Sequence, residues 1–463
     1  MATLTNRNQQ LPSLTGIRGY AAVFVMIAHG CALLIKFNDY QHPLVPWLTS
    51  LAGIGMSLFF VLSGFVIHYN YASLISEGGK PGIIKFFKAR FARLYPLFFL
   101  MLLVDLAWGI SPGWHRITHN GTWLWYEAMP FYIPMIQTWV YGVIGANSLV
   151  YQIGPNVPLT WSISTEWFFY CAYPVILLLL IRLRKPLLIG IIIALYSFAI
   201  WMLFRDAVNF YPALDAWGLS HFGPVAGMPP FQDSFVRWVF YFSPYSRITE
   251  FILGCLACHL FIQLRHIPVS RVENITGACL QWAALLGALF FYREFFIIKT
   301  IGVVLPMVFG LAPMMAILIF VFARYQSKLN YLFENRIAIW AGEISYSVYL
   351  THYLIFHALS QFTRPDFTTA NEIIEWSRFC FGVGIILLIS SLSYRFFEVP
   401  MRALLRDMTF QRLKFPTFHL QIFSRVGASV LVIYLLLKLL TWPGLNDNLS
   451  ALIYPWVQNL TGA

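Results

Sequence analysis

Apolar runs of about 20 residues recur along this chain, and they restrict its fold more than any other feature. A helix of that length crosses the hydrocarbon core of a bilayer, which is about 30 Å thick. Charged residues make up only 11% of the 463 residues, against roughly 25% in soluble proteins. The sequence therefore predicts an all-α fold, a polytopic transmembrane helix bundle of about ten to eleven spans. The candidate spans are 16–36, 51–69, 93–110, 161–181, 186–205, 238–262, 275–292, 300–323, 338–360, 376–398 and 426–443.

Basic residues cluster in alternate loops between the predicted spans. Cytoplasmic loops carry the excess of Lys and Arg in membrane proteins, so the pattern predicts a cytoplasmic N-terminus and an external C-terminus. The same loops explain the net charge of +12, because they set the orientation in the membrane and contact lipid headgroups. We therefore expect the lipid bilayer as a partner and no nucleic acid. The basic loops lie at 80–93, 182–185, 265–271, 324–336 and 402–425.

Ionisable residues inside predicted spans are costly and are therefore candidates for function. At a rise of about 1.5 Å per residue, His29 lies about 16 Å above Arg18, which stands near the cytoplasmic start of the first span. On the same arithmetic, Glu166 lies about 8 Å below the outer surface, and His352 about 21 Å above the start of its span. We expect the two histidines and Glu166 to line one cavity that is open to the outside.

A neutral imidazole at that depth can take a proton from a hydroxyl group as a general base. His29 is the candidate base, and a nearby carboxylate would orient its ring and stabilise the imidazolium. The alternative for this histidine is an ordinary buried residue with satisfied hydrogen bonds. The histidines lack the spacing of a metal-ligand cluster, so we expect no metal.

Two charged pairs have i, i+3 spacing, which places both side chains on one helix face. Arg90 and Arg93 suit phosphate binding, and the alternative is ordinary basic residues that flank a span. Arg247 and Glu250 either position a substrate or neutralise each other. The outer loop 111–160 is rich in Trp, Tyr and Pro, which indicates an interfacial aromatic belt or a stacking surface for sugar rings.

Seven motifs follow one another along the chain, and together they resemble the signatures of the membrane-bound acyltransferase-3 family. The resemblance covers nearly the whole chain. Members of that family O-acylate bacterial surface glycans, among other targets. The motifs are Leu14-Thr-Gly-Ile-Arg18 with His29, Gly55–Phe65, Lys88–Pro96, Trp161–Tyr170, Arg247–Gly254, Gly342–His352 and Tyr394–Pro400.

The resemblance implies a donor and a set of residue roles. The donor would be a cytoplasmic acyl-CoA, most simply acetyl-CoA, which is a co-substrate and not a permanently bound cofactor. His29 would act as the general base with Glu166 orienting it, or would carry the acyl group itself. Donor docking would fall to Arg18, Arg90 and Arg93. Substrate positioning is expected of Ser162, Ser164, Arg247, Glu250, Tyr349 and His352.

The resemblance also implies the reaction and its location. We expect transfer to a hydroxyl of an extracytoplasmic or lipid-linked glycan, such as lipopolysaccharide O-antigen or exopolysaccharide, in the bacterial inner membrane. Residues 1–463 would form one integral-membrane domain, with a core at 11–402, an extra span at 426–443 and no SGNH-type domain. Alternatives within the enzyme class are a succinyl or longer acyl group and a non-sugar acceptor such as a peptide or macrolide. Outside that class, the alternatives are a secondary transporter and a glycolipid flippase.

Overall fold

A computed structural model gives the fold. It describes residues 11–35, 44–110, 125–141, 157–223, 235–297, 311–360 and 372–407. The predicted span 426–443 and most of the aromatic outer loop lie outside these ranges. Within the ranges nearly every residue is helical, which confirms the all-α prediction.

The helices vary widely in length, and several are joined by short irregular turns. A 3₁₀ turn at Val157–Thr160 precedes one long helix, and π-helical turns occur at Trp238–Phe242 and Tyr394–Glu398. The α-helices of four or more residues are α1 Pro12–Leu34, α2 Leu44–Ile110, α3 Trp125–Tyr132, α4 Trp161–Leu180, α5 Pro186–Phe222, α6 Pro244–Leu264, α7 Arg271–Ile297, α8 Ala312–Arg324, α9 Asn330–Glu334, α10 Arg336–Glu343, α11 Ser345–Ser360, α12 Glu372–Ser393 and α13 Val399–Asp407.

Helix α2 is a hairpin of two helical arms. The chain reverses at Gly79, whose φ of 52° lies in the left-handed region that glycine tolerates without steric cost. Tyr71 on one arm and Phe86 on the other have ring centroids 5.2 Å apart. The second and third predicted spans are therefore the two arms of this hairpin.

Six helical segments of the described ranges are long and apolar enough to cross a membrane, and one of them contains both arms of α2. This agrees with the multi-pass bundle that the hydropathy pattern predicts. The segments are Pro12–Leu34, Trp47–Val104, Trp161–Leu180, Pro186–Leu203, Phe235–Leu264 and Glu375–Arg406.

Two predicted spans differ from the helices in extent. The span predicted at 186–205 is the first half of α5, which continues to Phe222 and is about 55 Å long at about 1.5 Å per residue. The span predicted at 338–360 is divided at Ile344 between α10 and α11. Helix α10 has its own start, because the Asn335 side chain accepts hydrogen bonds from the first backbone N–H groups.

Helices α2 and α6 approach each other closely through two glycines that belong to the sequence motifs. A β-carbon at Gly254 would lie 1.9 Å from the carbonyl oxygen of Val61, and one at Gly64 would lie 2.0 Å from that of Phe251. Small residues at such contacts let membrane helices pack backbone against backbone. Helix α1 packs on α2, α10 and α11, and this central group of helices carries most of the candidate site.

Candidate active site

A cavity lies between helices α1, α2, α4 and α11. Six of the eleven predicted site residues line it, and aromatic and aliphatic side chains form much of the remaining wall. The predicted residues in its lining are Arg18, Arg90, Arg93, Ser162, Glu166 and Tyr349. The sequence therefore identified residues from four separate helices that converge on one space.

Three guanidinium groups line this cavity, and each is held in a different way. Arg90 lies over the ring of Tyr71, 4.5 Å from its centroid, and donates a hydrogen bond to its hydroxyl. Arg93 lies 3.7 Å from the carboxylate of Glu398. Arg18 donates from Nε to the carbonyl of Gly342 at 3.0 Å, and its two Nη groups make no hydrogen bond within the described part of the chain. This arrangement leaves N–H donors available for an anionic ligand.

Glu166 lies in the same cavity, but its hydrogen-bond partners differ from the prediction. Its carboxylate accepts hydrogen bonds from Ser63, at 3.2 Å, and from the Tyr170 hydroxyl. It forms no hydrogen bond with His29, so the predicted orienting contact is absent from the structure. The physical reason is that equal depth in a bundle does not fix the direction in which a side chain points.

The imidazole of His352, and not a carboxylate, contacts His29. His29 Nδ1 and His352 Nε2 are 2.9 Å apart, and the two rings are nearly parallel. His352 is fully buried, and its Nδ1 lies 3.0 Å from the carbonyl oxygen of Val348. His29 remains half-buried. The depth argument thus brought two histidines together that are 323 residues apart in the chain.

The hydrogen bonds of this histidine pair assign its protons. A carbonyl oxygen only accepts, so Nδ1 of His352 must be the donor to Val348. In a neutral imidazole the other nitrogen is then an acceptor, so His29 donates from Nδ1 to Nε2 of His352. This leaves Nε2 of His29 with a free lone pair, the property that a general base or a nucleophile requires.

Tyr349 lies between the cavity and the histidine pair. Its hydroxyl accepts a hydrogen bond from Ser162 at 2.7 Å and donates one to the carbonyl of Leu159 at 2.9 Å. Its ring centroid is 5.9 Å from that of His352. Neither His29 nor His352 is among the residues that line this cavity, whereas Glu166 is.

Three other predicted positioning residues lie away from the cavity lining. Ser164 is fully buried, and its hydroxyl accepts hydrogen bonds from the side chain and the backbone of Thr138, at 2.8 and 3.2 Å. It therefore fixes the segment after α3 onto α4. Arg247 and Glu250 form a fully buried ion pair at 3.0 Å, which matches the alternative that they neutralise each other.

The structure also contains a buried polar chain that sequence reasoning missed. His259 donates to the carbonyl of Leu183 at 2.7 Å and accepts at Nδ1 from His68, at 3.0 Å. The other nitrogen of His68 accepts from the Tyr173 hydroxyl at 3.1 Å. This chain ties α2, α4 and α6 together next to Ile67, which lines the cavity. Both histidines fall inside predicted spans, and that was the available signal.

Comparison with known sequences now identifies the family. The model of a family described as an acyltransferase domain matches residues 11–395. The chain belongs to the acyltransferase-3 family. The match covers every helix that contributes to the cavity and to the histidine pair, and it confirms the resemblance that the seven motifs suggested. No solved structure matches this acyltransferase.

Several curated proteins resemble this acyltransferase at about one identical residue in four. Acyltransferase MdmB of Streptomyces mycarofaciens is 25% identical over 350 residues, which are 75% of this chain and 79% of that protein. A putative O-acetyltransferase of Staphylococcus aureus strain COL is 24% identical over 412 residues, 86% of this chain and 58% of its own length. Peptidoglycan O-acetyltransferase OatA of Listeria monocytogenes is 24% identical over 408 residues, which are 85% of this chain and 56% of that protein.

Family membership decides between an enzyme and the alternatives outside that class. The chain is a multi-pass membrane acyltransferase, so the transporter and flippase alternatives are not supported. It spans little more than half the length of the staphylococcal and listerial relatives. The donor, the acceptor and the residue roles are therefore matters for proposal.

Proposed function

We propose that this acyltransferase moves an acyl group, most simply acetyl, from cytoplasmic acyl-CoA to a hydroxyl of an extracytoplasmic glycan. One observation carries the proposal. An arginine-lined cavity ends at Tyr349, and a histidine pair with a free Nε2 lies immediately beyond that residue. This order suits a donor that enters from one side and an acceptor that enters from the other.

The lining charge supports an acyl-CoA donor. Three guanidinium groups and one carboxylate face the cavity, and guanidinium groups bind phosphate oxygens through paired, charge-assisted hydrogen bonds. Arg18, Arg90 and Arg93 would hold the phosphates of coenzyme A. The thioester would then extend past the apolar wall at Phe59 towards Tyr349. A cytoplasmic donor follows from the predicted orientation, in which the basic loops face the cytoplasm.

The free lone pair of His29 supports its role as the base. The acceptor oxygen forms a bond to the thioester carbonyl carbon as its proton passes to Nε2 of His29. The C–S bond breaks, coenzyme A leaves as a thiolate that takes a proton from the medium, and Nε2 of His29 releases its proton to the medium. In the acyl-enzyme alternative, Nε2 attacks the thioester first and expels the coenzyme A thiolate. The acceptor hydroxyl then takes the acyl group from Nε2 and releases its proton to the medium.

The relatives' names suggest the acyl group and the class of acceptor. The staphylococcal relatives are named putative O-acetyltransferases, and the listerial one is named for peptidoglycan. Peptidoglycan therefore joins lipopolysaccharide O-antigen and exopolysaccharide as a proposed acceptor, in a protein of the bacterial inner membrane. Succinyl or longer acyl groups, and non-sugar acceptors, are the alternatives.

Base-labile acyl ester on surface glycans tests the proposal directly. Cells with wild-type protein, with His29→Ala and without the protein are compared at matched expression. We expect ester in wild-type cells alone, because removal of a general base costs about 10²- to 10⁴-fold in rate. The mass of the released acid identifies the acyl group.

A second variant and a second readout control this experiment. His266 is an exposed histidine in the loop after α6, and His266→Ala should leave ester formation at the wild-type level. Membranes with wild-type protein should also release coenzyme A from acetyl-CoA. Equal ester in the wild-type and His29→Ala cells would contradict the assigned base, and equal coenzyme A release with and without the protein would contradict acyl-CoA as the donor.

A further inference from the structure

Tyr349 is the last residue along helix α11 that lines the cavity. On α11, Tyr346 and Tyr349 both line the cavity, whereas His352 does not. Successive members of this series are three residues apart, about 4.5 Å along the helix axis. An acyl group that extends from the arginine end towards His29 therefore meets the ring of Tyr349 last.

The ring of Tyr349 is fixed from several sides. The side chain is 6% exposed, and its hydroxyl is bonded to both Ser162 and the carbonyl of Leu159. The ring of Phe59 meets it edge-on, with centroids 6.0 Å apart. A tyrosine with both hydroxyl functions satisfied and a buried ring presents a firm boundary, because moving it breaks two hydrogen bonds.

Much of the wall next to this boundary is apolar. Met56, Phe59 and Phe60 line the cavity together with Tyr349, and Phe60 is in turn held edge-on against Trp161. These side chains can accommodate a hydrocarbon chain. The length available for that chain is thus set by the position of the Tyr349 ring.

We propose that Tyr349 is the residue that determines acyl-chain length, by limiting the space between the donor cavity and His29 to a short acyl group. This inference rests on the proposed function. The wild-type enzyme then prefers acetyl-CoA to butyryl-CoA and hexanoyl-CoA. Tyr349→Ala opens the boundary and shifts the preference towards the longer donors.

The test uses the full-length protein in detergent, with acetyl-, butyryl- and hexanoyl-CoA as donors and isolated cell-surface glycan as acceptor. In Tyr349→Ala we expect the ratio of kcat/KM for butyryl-CoA to that for acetyl-CoA to rise by at least about tenfold, the lower end of what a hydrophobic pocket discriminates per methylene. Tyr349→Phe keeps the ring but loses both hydrogen bonds, so its ratio should rise by less than that of Tyr349→Ala. Tyr349→Leu, which retains more buried apolar contact than alanine, should give an intermediate ratio.

Tyr346→Ala is the matched control. It removes a second cavity-lining tyrosine on the same helix, whose hydroxyl donates to the carbonyl of Leu94 at 2.5 Å. We expect it to weaken donor binding at the arginine end and to leave the length ratio unchanged. Elution as a single species by size exclusion establishes that each variant is folded.

Two failures are distinguishable in this experiment. An unchanged ratio in folded Tyr349→Ala and Tyr349→Leu, with the wild-type protein active on acetyl-CoA, overturns the role of Tyr349 and leaves the proposed function standing. Equal ratio changes in the Tyr346 and Tyr349 variants also overturn it. No coenzyme A release by the wild-type protein from any donor overturns the proposed function, and the length proposal falls with it.

Discussion

The arrangement of protons in the imidazole pair His29 and His352 depends on a backbone carbonyl group. Because Val348 accepts from Nδ1 of His352 at 3.0 Å, His352 presents an acceptor to His29 and holds Nε2 of His29 free. A carboxylate in the same place would add a negative charge. The neutral partner instead orients the ring of His29 without a further charge inside the membrane, where an unpaired charge is costly.

Substitution of His352 should therefore affect the reaction more than donor binding. We expect His352→Ala to lower kcat by about 10- to 100-fold, less than the full acid–base contribution of about 10²- to 10⁴-fold. The KM for acetyl-CoA should stay within twofold of wild type, taking about 0.4 kcal/mol as the limit of a neutral change. The measurement is the steady-state rate of coenzyme A release over a range of acetyl-CoA concentrations.

A conservative variant separates orientation from packing. His352→Gln supplies a side-chain oxygen that can accept the hydrogen bond from His29, so it should recover most of the lost kcat. If the glutamine and alanine variants were equally impaired, or if KM rose in both while kcat stayed constant, His352 would have a packing role and not an orienting one.

At the level of elements, motif glycines determine how the cavity is assembled. Gly254 on α6 faces the backbone of α2, and a β-carbon there would lie 1.9 Å from the carbonyl oxygen of Val61. Backbone atoms cannot move aside as a flexible side chain can. The two helices would have to separate, and the cavity wall that α2 forms would shift with them.

Gly254→Ala should accordingly destabilise the fold, by about 1–3 kcal/mol or more, as overpacking of a close contact does. The readout is the midpoint of thermal unfolding in detergent. Gly190→Ala on α5 is the control, because a β-carbon there meets no atom within 4 Å and should change stability by no more than about 1 kcal/mol. Equal midpoints for the two variants would show that the α2–α6 contact is looser than the structure indicates.

Helix positions were predictable from the sequence because lipid forces backbone groups to pair within a segment. The ends of the helices were less predictable. Helix α5 continues past its apolar half to Phe222, and a predicted span is divided at Ile344, where α10 ends, although hydropathy shows no break there. Side-chain partners depend on how helices rotate about their axes. For that reason, depth alone brought His29 to His352 but assigned Glu166 to the wrong partner and missed the contact between His68 and His259.

At the level of the whole molecule, the basic loops and the arginine-lined cavity belong to the same predicted side. The tip of the α2 hairpin carries Lys80 next to Gly79, and Arg90 and Arg93 follow on the second arm. The far end of α5, around Ser220, lies on the opposite side by helix direction. Donor access from the cytoplasm thus requires the orientation given by the positive-inside rule.

Cysteine labelling tests this orientation, and the protein without an added cysteine gives the background signal. The native cysteines with accessible side chains, Cys171, Cys279 and Cys380, lie within helices α4, α7 and α12, where an aqueous reagent has little access. Lys80 and Ser220 are both exposed. We expect a membrane-impermeant maleimide to label Ser220→Cys in intact spheroplasts, and Lys80→Cys only after permeabilisation. The reverse result would place the arginine-lined cavity towards the periplasm, out of reach of cytoplasmic acyl-CoA, and would require a donor of another kind.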